Sequence, residues 1–373
     1  MMLPVWIFFI ILCACYAGMV ILFISGFSIL SKKKETTAKS APPITVVIAM
    51  RNEADNIHNH LKSLQKQKYP KDKYEIIIVN DHSTDGSSEI VRSYQDKLKN
   101  LSVFDLPPGK TGKKQAVALG VKMVRTEHVV FTDVDCTHPD IWLFEMANAI
   151  NQNNSTMLIG AVMLEPAKSL FEMMQALEHA SLTASSLGAC AMGFPIMASS
   201  ANLAINQKKL NFTINLLNPA QQSGDDVFLL HSAKREGNHN IACIHTSKSL
   251  VFSKPARTLR EFLKQRARWA SKATAYRDWA TVLVGVTVLL FNLMLLMAFF
   301  TSALNSAGWL LLGVGLGVKS LLDFTLLYKY LRKYNKIYLL KVFIPLQLMY
   351  PFYVCVSFFI SLFGSVSWKG RNT

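Results

Sequence analysis

Apolar residues follow two different patterns along this chain of 373 residues. Long, almost unbroken apolar stretches cover residues 3–30, 279–304, 307–328 and 338–363, whereas short apolar runs alternate with polar segments between the first two stretches. A helix needs about 20 apolar residues to cross a bilayer core about 30 Å thick. The pattern therefore predicts one membrane-spanning helix, then a water-exposed domain, then three further spanning segments.

The charges beside the first apolar stretch predict its orientation. Lys32, Lys33 and Lys34 follow it directly, and basic residues favour the cytoplasmic side of a membrane. We therefore interpret residues 1–31 as a transmembrane helix, residues 32–43 as a linker, and the chain as a multi-pass protein of the cell (inner) membrane with its water-exposed domain in the cytoplasm. A cleaved signal peptide is the alternative, but no charge precedes Val5 and the apolar run is long for one.

The water-exposed segment, residues 44–255, has the periodicity of an α/β domain. Strands are predicted at 44–49, 74–79, 101–106 and 128–132, and helices at 56–67, 87–98, 114–124 and 169–187. A further short apolar run covers residues 158–162. Strands that alternate with helices in this way indicate a mostly parallel, doubly wound sheet.

The remaining residues predict a membrane-bound region. Residues 256–278 mix basic with apolar and aromatic side chains, as in a helix lying at the membrane surface, and residues 279–373 form the predicted bundle. Pro345 and Pro351 could break its last segment, which makes this the least secure crossing. The net charge of +16 fits an anionic membrane surface, and no nucleic-acid-reading motif accompanies it, so nucleic acid is not an expected partner.

Acidic residues directly follow two of the predicted strands. Asp133 and Asp135 follow the strand at 128–132, and Asp81 follows the strand at 74–79. Ligands of open α/β sheets bind at the carboxyl ends of the strands, and carboxylates there can hold a metal–phosphate group. The pattern favours a phosphate-containing ligand at this edge.

Several segments, taken in order, resemble the motifs of family 2 glycosyltransferases, whose catalytic domain has the GT-A fold. They are VVIAMRNE at 46–53, NDHSTDG at 80–86, GKKQAVALG at 112–120, DVD at 133–135 and SGDD at 223–226. In addition, QRARW at 265–269 matches the QxxRW signature of membrane-bound members. Two departures stand out. Asp225 occupies a position where Glu is commoner, and SSAN at 199–202 lies where the family usually has a small-residue acceptor loop with a Gly-Thr pair.

The resemblance implies a role for each matching residue. Arg51, Glu53 and Asp81 would line the base and ribose pocket, and Lys113 would approach the diphosphate. Asp133 and Asp135 would hold the nucleotide and a divalent cation, Mg²⁺ or Mn²⁺, with Asp135 as the best metal ligand.

The resemblance also implies roles for the residues of the last two motifs. Asp226 would be the general base, with Asp225 beside it raising its pKa. In QxxRW, Arg268 would bind the diphosphate, Trp269 would stack on the acceptor or nucleotide, and Gln265 would hold the segment. At the membrane surface, Arg and Trp are also common at headgroup level, and both roles can coexist.

Three functional hypotheses follow. The first is an inverting transfer of sugar from a nucleoside diphosphate donor, UDP-linked, to a membrane lipid or lipid-linked acceptor. The second is a processive polysaccharide synthase, for which four spans would need a homo-oligomer or a polymer-export partner. The third is a non-catalytic scaffold that binds nucleotide sugars, although the acidic residues of the motifs are all present.

Overall fold

The computed structural model describes residues 3–32, 41–221, 223–237, 240–363, 367–368 and 371–372. Most of the predicted linker at 32–43, including Lys33 and Lys34, therefore lies outside the described residues. Contacts divide the chain into two compact units. The membrane unit comprises Met1–Lys32, Pro166–Ile196 and Pro255–Val366, and the sheet unit comprises Lys33–Glu165, Met197–Lys254 and Ser367–Thr373. The segment 166–196, which the sequence placed inside a continuous domain at 44–255, thus groups with the membrane unit.

The described residues form helices and strands in the following order. The helices are α1 Leu3–Lys32, α2 Ala54–Gln65, α3 Ser87–Ser93, α4 Lys113–Met123, α5 Trp142–Gln152, α6 Leu170–Ala191, α7 Gln207–Leu210, α8 Asp225–Arg235, α9 Leu259–Ala270, α10 Trp279–Ser302, α11 Ser306–Lys333 and α12 Phe343–Phe363. The strands are β1 Ile44–Met50, β2 Tyr74–Asn80, β3 Leu101–Asp105, β4 His128–Phe131, β5 Met157–Gly160, β6 Val162–Leu164, β7 Leu203–Asn206, β8 Ile241–Ile244, β9 Val251–Ser253, β10 Ser367–Trp368 and β11 Arg371–Asn372.

Seven strands build the main sheet, in the order β3-β2-β1-β4-β7-β5-β8. The predicted mostly parallel sheet is confirmed, with β7 as the exception, because it runs antiparallel to both β4 and β5. The apolar run at 158–162 contributes to two strands, because β5 pairs in the main sheet whereas β6 pairs with β9. The inner strands are buried along most of their length, as expected for a sheet with both faces covered.

The sheet unit contains one close approach between a helix and a strand and one set of buried hydrogen bonds. A Cβ on Gly120 of α4 would lie 2.5 Å from Cγ1 of Val47, so only glycine lets this helix approach β1 so closely. The buried indole of Trp142 donates a 3.0 Å hydrogen bond to Oδ1 of Asn202. The Asn202 amide in turn donates to the carbonyl oxygens of Ala161 and Ser249 at 2.7 and 2.9 Å. These bonds fix the short 3-10 helix at 200–202.

The membrane unit contains four helices that are long and apolar enough to cross a membrane, which indicates a membrane protein. Their bounds are Pro4–Lys32, Trp279–Ser302, Ser306–Lys333 and Ile337–Ser361. The last segment is not divided at Pro351, because this residue lies inside α12. A 3-10 turn at Ile337–Val342 precedes that helix.

A polar network links three helices of this unit. Lys319 of α11 is 1% exposed, and its Nζ donates to Oδ2 of Asp323 at 2.6 Å and to Oε1 of Gln347 at 2.7 Å. The Tyr16 hydroxyl of α1 donates to Oδ1 of Asp323 at 2.7 Å. Lys319 and Asp323 are four residues apart in α11 and form an ion pair. Each charge of the network therefore has a partner, as ionisable groups buried in a membrane protein require.

We expect Lys319→Met to destabilise the membrane unit by about 3 kcal/mol or more, because it leaves the Asp323 carboxylate without its cation. Adding Asp323→Leu to this variant should recover most of the loss, since no unpaired charge then remains. Thermal unfolding in detergent measures both effects, with Lys329→Met, at an exposed position, as the control. Equal stability of Lys319→Met and wild type would contradict the expectation.

Candidate active site

Asp81 ties together three segments at the carboxyl edge of the sheet. Its amide N–H donates to the carbonyl of Met50 at 2.8 Å, and its Oδ2 accepts the N–H of Gly112 at 3.0 Å. Nη1 of Arg51 donates to the Asp81 carbonyl at 2.9 Å and lies 3.9 Å from its carboxylate. The ends of β1 and β2 and the start of α4 are therefore held together around one buried acid.

Glu53 lies beside this junction, on the loop between β1 and α2. Its N–H donates to Oγ of Ser87 at 2.8 Å, and its carboxylate accepts a 2.8 Å bond from the Asn56 amide. The loop after β2 reaches the same segment, because Oδ2 of Asp85 accepts the N–H of Ala54 at 2.9 Å. The structure thus places the three residues predicted for base and ribose binding, Arg51, Glu53 and Asp81, on one set of interlocked loops.

Lys113, the first residue of α4, connects the two acidic motifs. Its Nζ lies 2.7 Å from Oδ1 of Asp133 and 3.4 Å from Oδ2 of Asp225, and it donates to Oγ of Ser200 at 2.7 Å. Burial alone would lower the pKa of Lys113, but the carboxylates of Asp133, Asp225 and Asp226 outweigh it and raise this pKa above its usual range. One cation therefore holds carboxylates from sequence positions about a hundred residues apart.

Asp225 and Asp226 open α8, directly after Gly224, whose φ of 84° is in the region that favours glycine. Oδ2 of Asp226 accepts the N–H of Ser200 at 3.3 Å, and its Oδ1 accepts the N–H of Val227 at 2.8 Å. These two acids lie in the first turn of α8, and they also contact Lys113 and Ser200. The structure therefore brings the predicted base to the same place as the predicted nucleotide ligands.

Asp135 lies close to other negatively charged carboxylates. Burial raises its pKa, and the nearby carboxylates of Asp133 and Glu53 raise it further, whereas the Ser253 hydroxyl, which donates to Oδ2 at 3.1 Å, opposes the shift. A divalent cation would relieve this repulsion, so the residues suit one. Among the described residues, no three His, Cys, Asp or Glu side chains form a complete metal cage. Mg²⁺ and Mn²⁺ sites that use one or two carboxylates complete their shell with water and substrate phosphate.

A cleft of about 360 Å³ opens beside Asp135 in the sheet unit. It is lined by residues of α2 and of the segment after β4, and by Lys254. Nζ of Lys254 donates to Oδ1 of Asn56 at 2.7 Å, which places a cation near Glu53 and Asp135. Sequence reasoning missed Ser253 and Lys254, because they belong to no recognisable motif and reach the site only through the pairing of β9 with β6.

Gln265, Arg268 and Trp269 lie on α9, in the membrane unit. Arg268 and Trp269 are half-buried there, and Oε1 of Gln265 accepts a 2.7 Å bond from Arg266. Their predicted contacts with donor or acceptor remain predictions.

The chain is similar in sequence to known proteins over part of its length. Residues 45–211 match the family described as glycosyl transferase family 2. The chain is 31% identical over 121 residues to glycosyltransferase AglE of Haloferax volcanii, covering 32% of this chain and 40% of that one. It is 30% identical over 155 residues to the poly-beta-1,6-N-acetyl-D-glucosamine synthase of Staphylococcus aureus, covering 41% of this chain and 36% of that one. The chain thus matches less than half the length of these relatives.

The fold also resembles a solved structure. The mannosyltransferase PcManGT from Pyrobaculum calidifontis, in complex with GDP-Man and Mn²⁺, superposes with a TM-score of 0.54 at 19% sequence identity, over 91% of this chain and 97% of that one. At this identity the likeness concerns the fold alone. The fold class expected from the sequence, a GT-A domain with transmembrane helices, is confirmed.

The raised pKa of Asp135 predicts a dependence of stability on pH. Because the folded state holds this proton more tightly than the unfolded chain, the ionised carboxylate lowers stability once the pH rises above the unfolded value of about 3.9. In EDTA we therefore expect Asp135→Asn to melt higher than wild type at pH 7.5, with a smaller difference at pH 4. Asp133→Asn, whose carboxylate pairs with Lys113, should melt lower and serves as the matched comparison. Equal or lower melting of Asp135→Asn at pH 7.5 would contradict this account.

Proposed function

Since residues 45–211 form a family 2 glycosyltransferase domain with the GT-A fold, we propose that this chain transfers a sugar from a nucleoside diphosphate sugar, UDP-linked, to a membrane lipid acceptor with inversion at the anomeric carbon. One observation carries the proposal: Lys113 and Ser200 join Asp133, Asp225 and Asp226 in a single cluster. These are the groups that a donor diphosphate and an acceptor hydroxyl would require side by side.

The donor would bind across the interlocked loops. Arg51, Glu53 and Asp81 present polar side chains at the ends of β1 and β2, as a base and ribose pocket requires. Asp81 already uses Oδ2 to hold Gly112, so its substitution should disturb the loops as well as the donor. Lys113, which pairs with Asp133, and Lys254, which lines the cleft together with Asp135, would supply positive charge for the diphosphate.

Asp135, helped by Asp133, would hold the divalent cation, Mg²⁺ or Mn²⁺. When bound, the cation neutralises the charge that develops on the nucleoside diphosphate as it leaves. The neighbour solved with GDP-Man and Mn²⁺ supports a metal of this kind. Lys113 would then exchange its bond with Asp133 for bonds to diphosphate oxygens, which keeps the lysine paired throughout.

Asp226 would act as the general base. Its carboxylate takes the proton of the acceptor hydroxyl while that oxygen attacks the anomeric carbon from the face opposite the diphosphate, and the bond to the diphosphate breaks. The N–H of Ser200, which donates to Oδ2 at 3.3 Å, would orient the carboxylate for this transfer. A single displacement inverts the configuration.

Four candidate spans support a lipid or lipid-linked acceptor, because one sugar transfer needs only access from the bilayer beside the site. A processive polysaccharide synthase is the second candidate, and the similarity to the S. aureus synthase favours it. Mass spectrometry of the lipids and polymers made by the purified protein in native membranes separates the two. A single-sugar lipid supports our proposal, whereas a ladder of sugar additions contradicts it.

We expect Asp226→Asn to lower kcat for transfer by about a thousandfold while KM for the donor changes little, because the base acts on the acceptor proton. Release of nucleoside diphosphate, measured with candidate donors, Mn²⁺ and membrane extract, reports the rate. Asp96→Asn, with a side chain 95% exposed, is the control and should match wild type. Wild-type turnover by Asp226→Asn would exclude it as the base, and no turnover by wild type with any donor would favour the scaffold hypothesis.

Removal of the metal should abolish transfer in a reversible way. We expect EDTA to stop nucleoside diphosphate release and Mn²⁺ or Mg²⁺ to restore it in wild type, but not in Asp135→Asn, because that variant lacks the best metal ligand. Full activity of the dialysed protein in EDTA would show that transfer does not depend on a divalent cation.

A further inference from the structure

A buried ion pair occurs at a position that the QxxRW signature leaves unspecified. Arg266 of α9 is 5% exposed, and its Nε donates a 3.2 Å hydrogen bond to Oε1 of Glu178 in α6. Its Nη2 donates to Oε2 of the same carboxylate, and Glu178 is 2% exposed. Two parallel bonds between a guanidinium and a carboxylate fix their relative orientation more tightly than a single bond does.

A third helix joins this pair. The hydroxyl of Tyr353, in α12, donates to Oε1 of Glu178 at 2.9 Å. The rings of Tyr353 and Phe262 also meet edge to face, with centroids 5.6 Å apart. We name the group formed by Glu178, Arg266 and Tyr353 the Glu178 clamp; it links α6, α9 and α12 within the membrane unit.

Arg266 also contacts two residues of the signature directly. Its Cζ lies 4.2 Å from the ring centroid of Trp269 and 4.6 Å from that of Phe262, so the guanidinium is held between two aromatic rings. Its Nη1 donates to Oε1 of Gln265 at 2.7 Å. The orientations of Gln265 and Trp269 therefore depend on where Arg266 is held.

The buried face of α9 combines apolar side chains with one charged side chain. Its only buried side chains are Phe262, Arg266 and Ala267, and one of these is charged. Adjacent residues of a helix are about 100° apart around its axis, so a modest rotation would turn the signature residues away from their direction. Burying an ion pair costs desolvation, which makes geometric specificity a better explanation for it than stability.

We propose that the Glu178 clamp is a positioning unit that sets the rotation of α9 and thereby orients Gln265 and Trp269 for sugar transfer. The proposal rests on the proposed function, in which the signature residues act on donor or acceptor. Arg266 contacts Gln265 and Trp269, and Glu178 contacts Arg266, so in this proposal the pair acts through the signature residues. Its substitution should therefore change the rate more than donor binding.

The test compares a paired apolar replacement with wild type. Glu178→Leu combined with Arg266→Met removes both charges and leaves none unpaired, so the protein should fold with a melting temperature near wild type. We expect kcat for nucleoside diphosphate release to fall about tenfold or more, with KM for the donor within about twofold, because misplacement of a supporting group lowers the rate. Tyr353→Phe should lower kcat less, and Lys264→Gln, exposed on the same helix, should match wild type.

A double-mutant cycle distinguishes positioning from a general structural role. In a Trp269→Phe background the paired replacement should lower kcat little further, since both changes remove the same contribution. Additive losses, or a folded paired variant with wild-type kcat, would overturn the proposal. If the paired variant does not fold, Tyr353→Phe decides: a lowered kcat at an unchanged melting temperature supports the clamp, and wild-type kcat overturns it. Failure of the proposed function is a separate result, namely no turnover by wild type.

Discussion

The arrangement of the candidate site depends on one cation, Lys113, placed between acids from different parts of the chain. Asp133 follows β4, and Asp225 opens α8, so both would repel each other across the sheet edge without it. The lysine is the first residue of α4, the helix that approaches β1 closely at Gly120. A donor diphosphate and its metal would have to exchange these ionic contacts for others, which makes the cluster both a support and a binding surface.

Buried charges of the membrane unit are also paired with charged or polar side chains. Lys319, Asp323 and Gln347 satisfy one another between helices, and Glu178 does so with Arg266. An unpaired charge would be costly at such buried positions, so each group requires its partner in a defined geometry. Polar pairs thereby restrict the relative orientation of the helices. Apolar surfaces restrict it less, because many rotations of a helix bury a similar apolar area.

The residues of the proposed site lie at the carboxyl edge of the sheet because of how its strands run. Parallel strands bring their carboxyl ends to one edge, and the loops that follow β1, β2 and β4 carry Arg51, Asp81 and Asp135 there. The antiparallel strand β7 adds a different contribution, because it begins directly after the 3-10 turn that contains Ser200. Ser200 thus reaches both Asp133 and Asp226, and the acceptor side of the proposed site is joined to the donor side.

The sequence by itself determined the four apolar helices, the order of most strands and helices, and the acidic residues at strand ends, because burial and periodicity are local properties of the chain. It also determined the family resemblance through motifs that are each short and continuous. Only the tertiary structure decided the antiparallel course of β7, the grouping of residues 166–196 with the membrane unit, and the contacts of Ser253, Lys254 and Glu178. These features depend on pairings between residues far apart in the chain, and no local pattern of apolar and polar positions encodes which distant partner a side chain will meet.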